Sequence, residues 1–257
     1  MPFASLCDGD AITLLSQQLI VLSFSFTSFA DWEMQLITPH SWHEYGKVAD
    51  VNAYYRAQEN SIEFPLSIID AMRIHESKPM YLNFGDIGWV VGHEINHGFD
   101  NMGKHFDGDG EYRSWWTNET DAKYEKRTEC FAKQYQMYDL PDSDQSIDGN
   151  LTLGENIADN GGLKEAFRAY QKFTEEAAEP ALPGLKYTPA QLFFIQSAAF
   201  YCGKYRTEIT EYGLKTDGHS PNVYRVIGTM SNSEEFAETF SCPLGSRMNP
   251  VRKCTLW

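Results

Sequence analysis

Two pairs of side chains, each four residues apart, limit what this chain can fold into more than any other feature. The first is His93 and His97, in His93-Glu94-Ile95-Asn96-His97; the second is Glu155 and Asp159, in Gly154-Glu155-Asn156-Ile157-Ala158-Asp159. Positions i and i+4 share one face of an α-helix, so each pair asks for a helix. Two imidazoles on one face can hold one metal ion, and Glu94, beside the first, can act as general base on the water at that metal. A catalytic zinc takes three protein ligands and leaves one position open, so a third ligand must come from elsewhere. Glu155 fits that place, and Asp159 fits as the acceptor that holds a histidine N–H. The plain alternatives are two incidental histidines on one helix and two solvated acids on another. HExxH arises by chance in about one chain in a hundred of this length. The apolar flank Leu153, Ile157 and Ala158 argues for a partly buried acidic face, and buried acids want partners.

With 257 residues, 42% of them hydrophobic, the chain can bury a sizeable core. Its 36 acidic against 21 basic residues, net −15, repel phosphate backbones and anionic lipid surfaces, which argues against nucleic-acid partners. The five cysteines, Cys7, Cys130, Cys202, Cys242 and Cys254, form no CxxC pair. With the sequons at Asn118 and Asn150 they point to an oxidising, extracellular or cell-surface setting. Residues 11–30 are largely apolar and uncharged, but no Lys or Arg precedes them, so a signal peptide, an anchor, a buried segment and residues foreign to a natural mature chain all remain open. Any membrane association would run through this stretch. Residues 1–41 stay unassigned, and 42–257 read as one domain.

That domain reads as mainly helical with minor β structure. Asp50 to Tyr55 alternates as a short edge strand. Helices are expected over Ile87–Asn101, over Trp116–Met137 with Thr117 or Asn118 as cap, and over Leu153–Ala177, where Gly161-Gly162 should weaken or bend the middle. Thr188-Pro189 should open another helix, and Ser233 should cap a short one reaching Phe240. Three further residues complete the candidate site. Asp100 could orient a ligand histidine, His219 could donate to an oxyanion, and Arg225 could hold a substrate carbonyl or carboxylate in a two-pronged contact. Taken singly, each is also an ordinary structural residue.

These motifs, together with Val51-Asn-Ala-Tyr-Tyr55, Trp115-Trp116, Cys202-Gly-Lys-Tyr-Arg206, His219-Ser-Pro221 and Asn249-Pro-Val-Arg-Lys-Cys-Thr-Leu-Trp257, resemble the neprilysin-like zinc endopeptidases, the family that includes the endothelin-converting enzymes. The resemblance runs from about Trp42 to Trp257. It implies a thermolysin-like, gluzincin catalytic domain that cuts oligopeptide substrates before hydrophobic residues. It implies one Zn2+ on His93, His97 and Glu155, Glu94 activating water, and Asp159 in a catalytic or supporting role. His219 and Arg225 then match contacts to the transition state and substrate, and Asn52 and Ala53 match residues that pair with the substrate backbone. Val90, Phe200 and Tyr201 resemble the wall of the specificity pocket, with Trp89 adding bulk; plain core residues are the alternative. The resemblance also implies a Cys130–Cys254 bridge, with the positions of Cys202 and Cys242 pairing toward the start of a longer ectodomain; Cys7 could serve only one of them. Family members are much longer and carry a large helical lobe. The terminal Cys-x-x-Trp makes this chain read as complete at its carboxyl end and short at the other. A truncated, non-catalytic peptide-binding or decoy product that keeps the zinc motifs is therefore the alternative function.

Overall fold

The structure, a computed structural model, describes residues 49–257 except 73, 76, 141 and 142. The candidate anchor at 11–30, the domain boundary at 41/42 and Cys7 lie outside the described residues. The amino-terminal strands β1 (Tyr54–Arg56) and β2 (Ser61–Glu63) form an antiparallel ribbon with Tyr55 opposite Ile62. The rest is helical: α1 (Leu66–Ala71), α2 (Met80–Asn83), α3 (Trp89–His97), α4 (Asn118–Tyr135), α5 (Leu153–Glu176), α6 (Pro189–Phe200), α7 (Thr207–Thr216), α8 (Asn222–Asn232) and α9 (Glu234–Thr239). The mainly helical reading with a small β element is therefore correct.

Local chemistry sets several helix ends. Thr117 accepts the backbone N–H of Thr120 at the start of α4, and Ser233 does the same for Phe236 ahead of α9. Thr188 and Gln191 form a reciprocal capping box around Pro189 in the first turn of α6. The expected helix over Ile87–Asn101 needs correction at both ends. A π-helical turn, Phe84–Gly88, joins α2 to α3, so helical structure begins at Met80, and it ends at His97. Asp100 lies in the turn beyond, its carboxylate accepting the backbone N–H groups of Met102 and Gly103, both at 2.7 Å.

Gly161-Gly162, expected to weaken or bend this helix, do not interrupt it: α5 is one helix from Leu153 to Glu176. Those glycines serve contact rather than flexibility. A Cβ on Gly92 of α3 would stand 2.7 Å from the Gly162 carbonyl oxygen, and one on Gly162 would stand 2.5 Å from the His93 nitrogen. The two backbones thus touch where α3 crosses α5, closer than any side chain would allow. The helices α7 and α8 carried no clear sequence signal. Only Leu214 of α7 is buried, and α8 starts after Pro221 with no side-chain cap.

The main core lies among α3, α5, α6, α8 and α9, around the fully buried Trp89, Phe193, Phe194, Met230 and Phe236. A second cluster, Tyr124, Phe131, Tyr135, Ile147, Ile157 and Leu256, holds α4 and the carboxyl-terminal segment to α5. A disulfide joins Cys130 of α4 to Cys254. Cys202 is a free thiol, and Cys242 is disulfide-bonded.

Candidate metal centre

The α3–α5 contact brings the two motif pairs face to face. His93 and His97 set their rings edge to face, 4.5 Å between centroids. Their Nε2 atoms are 2.9 Å apart. Glu155 reaches in from α5, with Oε2 3.2 Å from His93 Nε2 and Oε1 3.6 Å from His97 Nε2. Among the described residues these three form the one group of such donors that could hold a metal ion.

Each imidazole is backed by a carboxylate on its other nitrogen. His97 Nδ1–H donates to Asp100 Oδ2 at 2.7 Å, and His93 Nδ1 faces Asp159 Oδ1 at 2.9 Å. In the neutral imidazoles, with Nδ1 carrying the proton toward its carboxylate, each Nε2 has a lone pair free for a metal ion. The Glu155 Oε2 atom is buried without a hydrogen bond. Two imidazoles with one carboxylate, their donor atoms within 4.8 Å of one another, are a donor set that suits zinc. The residues present fit that ion.

Charge balance follows the same geometry. Burial works against a charge on His93, but Asp159 and Glu155 outweigh it and push its pKa up to about 9. Burial pushes Asp159 up as well, yet Arg225 overrules it and holds the carboxyl at about 2. Arg225 grips Asp159 with two hydrogen bonds, Nε to Oδ2 at 2.8 Å and Nη2 to Oδ1 at 2.7 Å, and lies over the Tyr201 ring. Burial also opposes ionisation of Glu155, but His219 and His93 hold it well below the usual carboxylate range. Glu94 is buried next to His93. Desolvation raises its pKa, while the two imidazoles pull the other way.

His219 completes the group from the loop between α7 and α8. Its Nε2 is 3.2 Å from Glu155 Oε2, and its Nδ1 is 2.7 Å from Asp217 Oδ1. Asn52 and Ala53 do not join this cluster. They lead into β1, and Ala53 packs with Val90 of α3 in a small separate cluster that flanks the centre. Trp89 and Tyr201 meet edge to face in the core, and both also bond Asp159, through Trp89 Nε1–H to its carbonyl and Tyr201 O–H to its carboxylate. Sequence reasoning missed Asp217, whose signal was the Asp-x-His spacing. It also missed the Tyr201–Asp159 bond, which has no local signal.

A helical domain with HExxH on one helix and ExxxD on a second, crossing it at paired glycines, defines a gluzincin-type metallopeptidase fold. Comparison with known proteins gives the same class. The sequence pattern of Peptidase family M13 matches residues 52–256, and the chain belongs to that family. It is 49% identical over 208 residues to human endothelin-converting enzyme 1, covering 80% of this chain and 27% of that protein. It is 44% identical over 217 residues to Neprilysin-2 of Drosophila melanogaster, covering 84% and 28%. The crystal structure of Mycobacterium tuberculosis zinc metalloprotease ZMP1 in complex with inhibitor superposes with a TM-score of 0.79 at 32% identity, over 86% of this chain and 34% of that one. The chain thus spans little more than a quarter of the curated relatives it matches.

Proposed function

We propose that this chain is the catalytic module of a zinc-dependent endopeptidase that hydrolyses oligopeptides before hydrophobic residues. The observation that carries this reading is the convergence of His93, His97 and Glu155, their donor atoms within 4.8 Å of one another, with the buried Glu94 beside them. One zinc ion held there supplies Lewis acidity, which acidifies water and polarises a carbonyl. Glu94 takes a proton from the attacking water and passes it to the leaving amine; desolvation, which raises its pKa, suits that exchange. His219 donates a hydrogen bond to the developing oxyanion. Arg225, anchored by Asp159, contacts the substrate carbonyl, and Asp159 and Asp100 keep both imidazoles in register. The backbone at Asn52 and Ala53 offers an edge for an extended peptide. Val90, Phe200 and Tyr201 supply an apolar wall for the side chain that follows the cut.

The bridge between Cys130 and Cys254 and the two sequons support an extracellular or cell-surface setting. Among the described residues no helix is long and apolar enough to cross a membrane. A second reading is a peptide-binding chain that keeps the same metal residues without turnover. Metal analysis with hydrolysis of a quenched peptide, with and without chelator, separates the two. Chelator-sensitive cleavage supports the peptidase, and stoichiometric zinc without cleavage supports the second reading. Peptide-library profiling that ranked charged residues first after the cut would overturn the hydrophobic preference.

A further inference from the structure

His219 is half-exposed, on the short loop that joins α7 to α8. Asp217 sits on the same loop, so its contact with the ring aims His219 relative to the loop and not relative to α5. Beside the contact of His219 with Glu155, a second and fully buried tie to α5 is made one residue further on. Ser220 Oγ–H donates to Asn156 Oδ1 at 2.8 Å, Asn156 Nδ2–H donates to Thr152 Oγ1 at 2.9 Å, and Thr152 Oγ1–H donates to the Asp148 carbonyl at 3.0 Å. Asn156 is 0% exposed, Ser220 2% and Thr152 3%. The donors run in one direction and end on a backbone carbonyl. Each polar atom of the row therefore has one role, and the Asn156 amide has one orientation. Asn156 follows Glu155 in sequence just as Ser220 follows His219, so a single hydrogen bond joins the neighbours of two residues at the centre.

We propose that Asn156 and Ser220 form a buried latch that positions His219 against Glu155, making both of them positioning residues for the reaction. This rests on the reading of His219 as the oxyanion donor. Removing the Ser220 hydroxyl leaves Asn156 Oδ1 buried without its donor and leaves the half-exposed contact of His219 with Glu155 to hold the ring alone, so the imidazole wanders from the place where charge develops. A misplaced donor loses stabilisation of the transition state and little of ground-state binding.

The test compares the full zinc-loaded chain with Ser220→Ala, Ser220→Thr, His219→Ala and the His219→Ala/Ser220→Ala double variant on a quenched peptide with Phe after the cut. Ser220→Ala is expected to lower kcat about tenfold or more with KM within about twofold, and to add nothing once His219 is gone. Ser220→Thr keeps the hydroxyl and is expected to restore most of the loss. A second readout needs no turnover: relaxation of 13Cε1-labelled histidines in the metal-free chain, with the His219 signal assigned from His219→Ala. That ring is expected to become mobile in Ser220→Ala and to stay fixed in Ser220→Thr. An equal loss from Ser220→Ala in both backgrounds, or a His219 ring whose relaxation Ser220→Ala does not change, would overturn the latch. A wild-type chain that cleaves nothing would end the peptidase reading, and the relaxation result would then decide the latch alone.

Discussion

Glu94 has the surroundings a proton carrier needs, buried enough to favour the neutral form and close enough to two imidazoles to keep the charged form accessible. Glu94→Gln keeps the volume and removes the base. It should bind zinc as the wild type does while kcat falls about 10²-fold or more; retention of over about a tenth of the activity would contradict the role. His93 gives a pH dependence. In the metal-free protein its pKa lies at about 9 against an ordinary 6.5, so below pH 9 the cage holds a proton that zinc must displace. Zinc affinity should therefore fall as pH drops, by up to about tenfold per pH unit, with about one proton released near neutrality. Calorimetry in buffers of different ionisation enthalpy measures that proton, and a Kd unchanged across this range would refute the coupling. By the same sign, protonated His93 stabilises the metal-free fold fully below its unfolded value, and that contribution disappears as pH rises through about 9. At this scale the legible residues were those whose partners are near in sequence: His93 with His97, Glu155 with Asp159, and Asp100 three places from His97. The Ser220–Asn156 and Tyr201–Asp159 bonds span 64 and 42 residues, and no local pattern announces them.

Among the elements, the crossing of α3 and α5 decides whether the centre exists. Gly162→Ala would drive a methyl group into the His93 backbone, so the helices must separate and Glu155 must retreat from the imidazoles. Zinc affinity should fall at least about tenfold, as for other residues that support a metal site. Gly213→Ala in α7 is the control, because nothing lies within 4 Å of its added methyl group. It should stabilise the fold by about 0.5–1 kcal/mol in denaturant titration and leave zinc affinity unchanged. Equal zinc affinity in wild type and Gly162→Ala would show that the close approach is dispensable. The same glycines explain why an expectation from propensity failed. Taken alone, Gly161-Gly162 weakens a helix, but in contact with α3 the missing side chains let two backbones meet, and tertiary packing overrides propensity. The capped helices α4, α6 and α9 were legible from Thr117, Thr188 and Ser233. Helix α8 was not, since Pro221 offers no side-chain cap to mark its start.

In the molecule as a whole, the second core and the Cys130–Cys254 bridge fasten the carboxyl-terminal segment to α4. The bridge spans 124 positions of sequence. A Cys130→Ala/Cys254→Ala variant should lose about 4–5 kcal/mol on the loop-entropy account, read from the denaturant midpoint of the metal-free chain. A loss below about 1 kcal/mol would mean that the core alone holds this segment. The free thiol of Cys202 and the high acidic charge belong to the same picture. The charge favours solubility, and the thiol invites intermolecular bridges under oxidising conditions.

That covalent ring also decides what a protease can do. Glu155, His219 and Arg225 all lie between Cys130 and Cys254, and the stretch at 177–187, mostly exposed and without helix, interrupts them halfway. Trypsin cutting after the exposed Lys186 would sever the backbone between α5 and α6 without parting the two pieces. Electrophoresis of the nicked protein should show one intact-sized band without reductant and two fragments with it. Proteolytic scission there would leave both halves of the centre fastened to one another, and only a reducing environment would complete the separation.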